Sequence, residues 1–214
     1  MKIVIPKKEE LVSTGDSDPI EYGLYHLPII KYPFILRLKK VIQLFGNKKY
    51  DKMLEVGTGS GILIPELSRH CNSLYCIDIH DRIEDIKNFV KKKGINAKVS
   101  YGDIFNLKFK PRFFDAIVCI SIIEHLVEVG KALDSIKRVL KDDGILFVGI
   151  PTKNIIGETI IELIAPGSKD RHVSDSVKII REVRKRFKIV RFNNLSTIFG
   201  SRNSVYTTFK CVKL

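Results

Sequence analysis

The chain has 214 residues, 44% of them hydrophobic and 29% charged, a balance typical of one globular α/β core and too apolar for a disordered chain. Its formal net charge is +13, which fits either a nucleic-acid partner or a solvated basic surface. The charge does not decide between the two, because Lys and Arg occur along the whole chain, with local concentrations at 91–93 and 181–188. The longest apolar stretch, 116–123, is too short to span a bilayer and the first residues do not resemble a signal peptide, so we expect a cytoplasmic protein without membrane contact.

The predicted elements begin after a polar stretch at residues 13–19. Apolar residues recur every three to four positions over 34–45, which predicts an amphipathic helix. Strand and helix patterns then alternate, as is typical of a parallel sheet covered by helices on both faces. The predicted strands are 53–56, 74–77, 97–101, 116–120 and 145–148, and the predicted helices are 62–70, 81–93 with Asp81 as its cap, and 129–140.

The tail changes character. A helix at 175–187 runs into a strand at 189–192, and residues 204–214 alternate enough to pair with that strand in the antiparallel sense. We therefore expect a Rossmann-like α/β fold, mostly parallel with an antiparallel C-terminal strand, in a single domain over 1–214. Within it, residues 1–50 form an N-terminal helical segment, 51–151 a ligand-binding core, and 152–214 an insert and the end of the sheet.

Four cysteines, at positions 71, 76, 119 and 211, lack the paired spacing of a metal site. Two of them lie inside apolar runs that are predicted as strands. We expect buried thiols in a reducing compartment.

The sharpest motif is a glycine turn, Gly57-Thr58-Gly59-Ser60-Gly61, between the first strand and a helix. Glycines let a ligand lie against the backbone, and a helix start supplies free N–H donors. The third glycine comes one position too early for a dinucleotide fingerprint, and no Lys-Ser or Lys-Thr follows as in a P-loop.

An acid precedes this turn. Glu55 lies two residues before Gly57, where a carboxylate opposes a pyrophosphate and suits a cation. S-adenosylmethionine carries a sulfonium and an ammonium group, so turn and acid together predict it as the ligand. The alternative is a turn that only connects strand and helix.

Two further acids end neighbouring strands. Asp78 can accept hydrogen bonds from both hydroxyls of a ribose, or it can cap a helix. Asp103 can accept from an adenine amino group, or it can stabilise a turn.

With these residues in order, the chain is similar to the class I S-adenosylmethionine-dependent methyltransferase family, in particular its type 11 branch. The resemblance covers residues 55–151, and more loosely the rest, and includes the segments Phe114-Asp115-Ala116-Ile117-Val118, Ile123-Glu124-His125-Leu126 and Lys141-Asp142-Asp143-Gly144-Ile145-Leu146. It implies a seven-stranded sheet whose last strand is antiparallel. It also implies S-adenosyl-L-methionine as cofactor, bound by Glu55, Gly57, Thr58, Gly59, Gly61, Asp78, Ile79, Asp103, Ile104 and Ser121.

Methyl transfer is an in-line displacement, so the protein mainly aligns the reactants and excludes water, and no metal is required. His125 and His172 are the candidates for a general base. The alternative for His125 is packing, and for His172 an exposed loop position. Tyr22, Tyr25 and His26 either face an acceptor pocket built from 22–45 and 152–173 or pack in the core.

The acceptor class stays open. No Asn-Pro-Pro-Tyr-type segment follows the fourth strand and no Pro-Cys pair occurs, which argues against exocyclic adenine and cytosine-carbon methylation. A small-molecule acceptor is favoured, with RNA bound by the basic surface as the alternative. A third hypothesis is a nonenzymatic module that keeps the glycine turn as scaffold. The oligomeric state is left undecided.

Overall fold

The computed structural model describes residues 3–12, 31–152, 173–197 and 200–214. Within these ranges the α-helices are α1 (Lys31–Gln43), α2 (Ile64–Leu67), α3 (Ile83–Lys92), α4 (Val129–Val139) and α5 (Ser176–Arg184). The strands are β1 (Tyr50–Val56), β2 (Cys71–Asp78), β3 (Ala97–Tyr101), β4 (Phe114–Ile120), β5 (Leu140–Pro151), β6 (Phe187–Thr197) and β7 (Gly200–Lys213). Short 3-10 turns occupy Lys8–Glu10, Ser68–His70, Ile104–Asn106 and Ile123–His125.

The seven strands form one sheet in the order β3-β2-β1-β4-β5-β7-β6. Strands β1 to β5 are parallel to one another, whereas β7 is antiparallel to both of its neighbours. The predicted fold class is confirmed. The strand order reverses between β1 and β4, and in open α/β sheets such a reversal leaves a crevice at the carboxyl ends of the two strands, where ligands bind.

Helices cover the sheet on both faces, and this explains the continuous apolar runs of the central strands. Alternate residues of β4 point to opposite sides: Ala116 and Val118 join the core beneath α1, α2 and α3, and Ile117 and Cys119 join the core beneath α4 and α5. All four cysteines are buried free thiols. Among the described residues, no helix has both the length and the apolar character needed to cross a membrane.

The start of α3 differs from the prediction. Asp81 was expected to cap this helix, but the N-cap residue is Arg82, and no side chain accepts a capping hydrogen bond there. Asp81 is exposed instead. At α5 an acid does cap the helix, because Oδ1 of Asp175 accepts a hydrogen bond from the backbone N–H of Lys178 at 2.7 Å. The chain enters α5 in an extended conformation at Asp175, which is typical of a capping residue.

We expect Asp175→Ala to lower the free energy of unfolding by about 1 kcal/mol, because the N–H of Lys178 loses its acceptor. Asp81→Ala is the matched control and should change it by less than about 0.5 kcal/mol. Urea unfolding of both variants measures the difference. Equal losses would contradict the assignment of Asp175 as the only cap of the two.

Candidate functional site

The turn after β1 lies at the strand-order reversal and is held in one shape by β2. Gly57, Gly59 and Gly61 have φ values of +78°, +47° and +80°. These values lie in the left-handed region, which residues other than glycine rarely adopt. The N–H groups of Gly57 and Thr58 both donate to the carbonyl oxygen of Ile77, at 2.9 and 3.2 Å. The end of β2 therefore fixes the path of the turn.

The glycines face different surroundings. A Cβ on Gly57 would stand 2.0 Å from Cδ1 of Ile122, whereas a Cβ on Gly59 would meet nothing within 4 Å. Gly57 thus lets the segment after β4 pack against the turn. Gly59 faces open space, which leaves room for a ligand against its backbone.

Glu55 lies beneath the turn and is only 4% exposed. Its Oε2 accepts a hydrogen bond from Oγ1 of Thr58 at 2.6 Å. Burial raises the pKa of the Glu55 carboxyl to about 7, and the hydrogen bonds from Thr58 and Cys76 limit the rise. A cation bound above the turn would favour the ionised form of this carboxyl.

Asp78 closes β2 beside the turn. Its Oδ2 accepts from the N–H of Gly59 at 2.8 Å, and its Oδ1 accepts from the N–H of Ile79 at 2.7 Å. A carboxylate has about four acceptor positions, so these two bonds leave capacity for the hydroxyl groups of a ligand. Ile79 is 64% exposed and offers an apolar surface next to this acid.

His80 belongs to the site although sequence reasoning missed it. Its Nδ1 accepts from the N–H of Arg82 at 3.1 Å, so Nε2 carries the proton and donates to the carbonyl oxygen of Gly59 at 3.2 Å. The same Nε2 lies 3.9 Å from Oδ2 of Asp78. The position of His80, two residues after an acid at a strand end, is the signal that could have found it.

Asp103 follows β3 and is brought next to Asp78, because the N–H of Gly102 donates to the carbonyl oxygen of Asp78 at 2.9 Å. Its Oδ1 accepts from the N–H of Phe105 at 2.9 Å, which is the turn-stabilising role considered from the sequence. Ile104 is 6% exposed and packs in the core. Ile79 and Phe105, which is 40% exposed, therefore offer more surface to a base than Ile104 does.

Ser121 follows β4 with a φ of +54°, a strained conformation for a residue other than glycine and one that clusters at functional sites. Its Oγ lies 2.9 Å from Oη of Tyr206 and accepts from Nη1 of Arg37 at 3.3 Å. Tyr206 fits here because β5 has a glycine, Gly149, whose Cβ would stand 2.7 Å from Oη. Arg37 and Tyr206 come from α1 and β7, so no local pattern in the sequence connects them.

His125 lies on the 3-10 turn after β4 and is exposed. It is a member of neither buried core cluster. His172, Tyr22, Tyr25 and His26 lie outside the described residues. Within the described ranges, no group of three or more His, Cys, Asp or Glu side chains is arranged to hold a metal ion.

Comparisons with known proteins give a consistent picture. A family model described as a methyltransferase domain matches residues 54–148. An uncharacterized protein of Methanocaldococcus jannaschii is 34% identical over 119 residues, which are 56% of this chain and 47% of that protein. A ubiquinone biosynthesis O-methyltransferase of Coxiella burnetii is 26% identical over 144 residues, which are 63% of this chain and 61% of that protein. The chain thus spans about half to three fifths of these relatives.

The crystal structure of the N-methyltransferase NodS from Bradyrhizobium japonicum, in complex with S-adenosyl-L-homocysteine, is similar in fold. Its TM-score is 0.69 at 17% sequence identity, and the match covers 94% of both chains. At this identity the similarity concerns the fold.

The buried carboxyl of Glu55 predicts a pH dependence of stability. The pKa of the Glu55 carboxyl is about 7 in the folded protein, and its ordinary value, which we take for the unfolded chain, is 4.5. The contribution of Glu55 to stability is therefore full below about pH 4.5 and is lost as the pH rises toward 7. The loss is at most about 3 kcal/mol. We expect Glu55→Gln, which cannot ionise, to gain stability relative to the wild type between pH 5 and about pH 8.

Urea unfolding at both pH values measures this gain. Glu9→Gln, at an exposed position, controls for the loss of one negative charge. A stability difference between wild type and Glu55→Gln that is independent of pH would contradict the raised pKa.

Proposed function

We propose that the protein is a class I methyltransferase that binds S-adenosylmethionine and transfers its methyl group to an acceptor, in line with the methyltransferase-domain model that matches residues 54–148. The observation that carries this proposal is the glycine turn at the strand-order reversal, with open space at Gly59 and the carboxyl groups of Glu55 and Asp78 next to it. Backbone that is open at this point admits an extended ligand, and the neighbouring acids suit one that carries positive charge.

We assign the parts of the cofactor to this geometry. The turn from Gly57 to Gly61 would hold the amino-acid moiety, and an ionised Glu55 would attract its ammonium group and the sulfonium. The remaining acceptor positions of Asp78 would accept from the ribose hydroxyls. Ile79 and the second oxygen of Asp103 would hold the adenine, through apolar contact and through a hydrogen bond from its amino group.

The chemistry of the cofactor is displacement: the acceptor's lone pair attacks the methyl carbon while the carbon–sulfur bond breaks and the sulfonium becomes a neutral thioether. The residues of the chain align the two reactants and exclude water. Ser121 and His125, on the segment after β4, stand where an acceptor would approach from the side opposite the adenine. An acceptor that must lose a proton can pass it to His125 or to water.

A small-molecule acceptor is the first proposal, supported by relatives such as the ubiquinone biosynthesis O-methyltransferase of Coxiella burnetii. RNA is the second candidate, supported by the net charge of +13. Incubation with methyl-labelled cofactor and cell extract, with and without ribonuclease, separates them, because label that disappears with ribonuclease was on RNA. A chain that neither binds the cofactor nor transfers label would be a nonenzymatic module.

We expect S-adenosylmethionine to raise the melting temperature of the wild type through binding linkage, and Gly59→Ala to weaken that binding at least about tenfold, because the new Cβ enters the ligand space. Gly94→Ala is the matched control: Gly94 also has a positive φ and open surroundings, but it follows α3 away from the site. Calorimetric titration of the three proteins measures the affinities. Equal weakening in both variants would mean that the turn does not hold the cofactor.

Asp78 and His125 should affect different constants. We expect Asp78→Ala to raise the Michaelis constant for the cofactor by the equivalent of about 1.5–3 kcal/mol, with little change in turnover, since a ribose contact is equal in ground and transition states. His125→Ala should lower turnover at unchanged cofactor affinity. Label transfer to the extract acceptor, followed against cofactor concentration, measures both constants. Unaltered turnover in His125→Ala would leave the protein relying on alignment alone.

A further inference from the structure

The excess positive charge of the protein is concentrated in two segments. Residues 31–50 and 187–214 hold eleven of the 37 Lys and Arg and none of the 24 Asp and Glu. The rest of the chain is therefore nearly neutral. Helix α1 packs against β6 and β7, so the fold brings the two acid-free segments together at one edge of the sheet.

Five cations share this edge, and we name them the basic face: Lys40, Lys48, Lys188, Arg191 and Lys210. The strand register places Arg191 directly opposite Lys210 and Lys188 opposite Val212, on one side of the sheet. The carbonyl oxygen of Lys40 accepts from Nδ2 of Asn193 at 3.2 Å, which brings the end of α1 onto the same side.

Two buried rings connect the remaining members of the basic face. The Nζ of Lys210 lies 5.9 Å from the ring centroid of Phe147, and the Nζ of Lys48 lies 5.3 Å from that of Tyr50. The two ring centroids are 6.0 Å apart. Lys48 and Lys210 therefore stand side by side over one aromatic pair.

The charges of the basic face are not compensated within the described part of the chain, where none of the five lies within 4 Å of a carboxylate. Like charges directly opposite in an antiparallel pair repel each other. Burial, with the charges of Lys48 and Arg191, lowers the pKa of Lys210. Basic residues on an edge strand can protect it from aggregation, but this does not explain Lys210, because β7 is an interior strand.

We propose that the basic face is a docking surface for single-stranded RNA, which it holds through the phosphates. A strand of RNA presents phosphates in a row and can neutralise several of these cations together. Phe147 and Tyr50 are buried, so neither ring is available for stacking on bases, and binding should tolerate any sequence. A membrane surface fits less well, because stable interfacial binding also requires apolar anchors beside the charges, whereas the exposed ring of Phe192 pairs with Phe209 on the side of the sheet opposite to Lys210.

This surface goes beyond the proposed methyl transfer. Lys188, Arg191 and Lys210 of the basic face lie on β6 and β7, with β4 and β5 between them and β1 in the sheet. Lys48 precedes the first residue of β1, whereas the glycine turn follows the last one. Binding at the basic face needs no cofactor. An assay without S-adenosylmethionine can therefore fail or succeed independently of the proposed enzyme activity.

The test uses the full chain and a fluorescent polyuridine of about 20 nucleotides, with anisotropy recorded at a series of salt concentrations. If five phosphates are neutralised, the logarithm of the affinity should fall with the logarithm of salt with a slope of about −3 to −4. In Lys188→Glu/Arg191→Glu, both at exposed positions of β6, we expect the magnitude of the slope to fall by about 1 and the low-salt affinity by at least about tenfold.

The matched control is Lys91→Glu/Lys92→Glu, which makes the same change in net charge at exposed positions of α3, beside the opposite edge of the sheet. It should retain the slope and lose less than about threefold in affinity. Equal weakening in both double variants would overturn the proposal, since binding would then reflect net charge alone. Absence of RNA binding by the wild type, or tighter binding to phosphatidylglycerol vesicles than to polyuridine, would overturn it as well. Melting temperatures of the double variants verify that both remain folded.

Discussion

The hydrogen bonds from the end of β2 to the glycine turn are the constraint on which the rest of the site depends. Three glycines within five residues have many alternative conformations in an unfolded chain. The carbonyl of Ile77 and the carboxylate of Asp78 select one of them by accepting three of the turn's N–H groups. His80 adds a fourth bond, to the carbonyl of Gly59. The acid that we assign to the ribose is therefore also part of the frame that holds the turn open.

The turn also sets where the segment after β4 lies. Because Gly57 has no side chain, Ile122 packs against it, and this contact draws the segment after β4 toward the open backbone at Gly59. Ser121, one residue earlier, takes up a left-handed conformation that directs its hydroxyl to Tyr206 and Arg37. A strained backbone of this kind persists only where surrounding contacts hold it in place. Here those contacts involve three separate parts of the fold: the segment after β4, α1 and β7.

Local features of the site could be predicted from the sequence, and features made by distant residues could not. The glycine turn and the acids after β2 and β3 follow their strands directly, so alternation of strand and helix patterns was enough to bring them to one edge. The prediction for the start of α3 was wrong because Asp81 has the right residue type, but the N-cap position falls one residue later, on Arg82. Arg37 and Tyr206 are 169 positions apart in the sequence and are brought together by the fold. The two acid-free segments are also far apart in the sequence, and they form one basic surface only because α1 packs on β6 and β7. Both results depend on the order of strands in the sheet, which local sequence patterns do not predict.

The position of β7 has a consequence for the order in which the molecule is made. This strand comes after both β5 and β6 in the chain, yet it lies between them in the sheet. During synthesis, chains fold from the N-terminal side as residues emerge, so β1 to β5 can pair while β6 still has no neighbour. The glycine turn and its supporting strand are then complete on the nascent chain before Tyr206 has been made. The pieces of the proposed cofactor site are therefore synthesised before Tyr206, whose hydroxyl contacts Ser121 on the segment after β4.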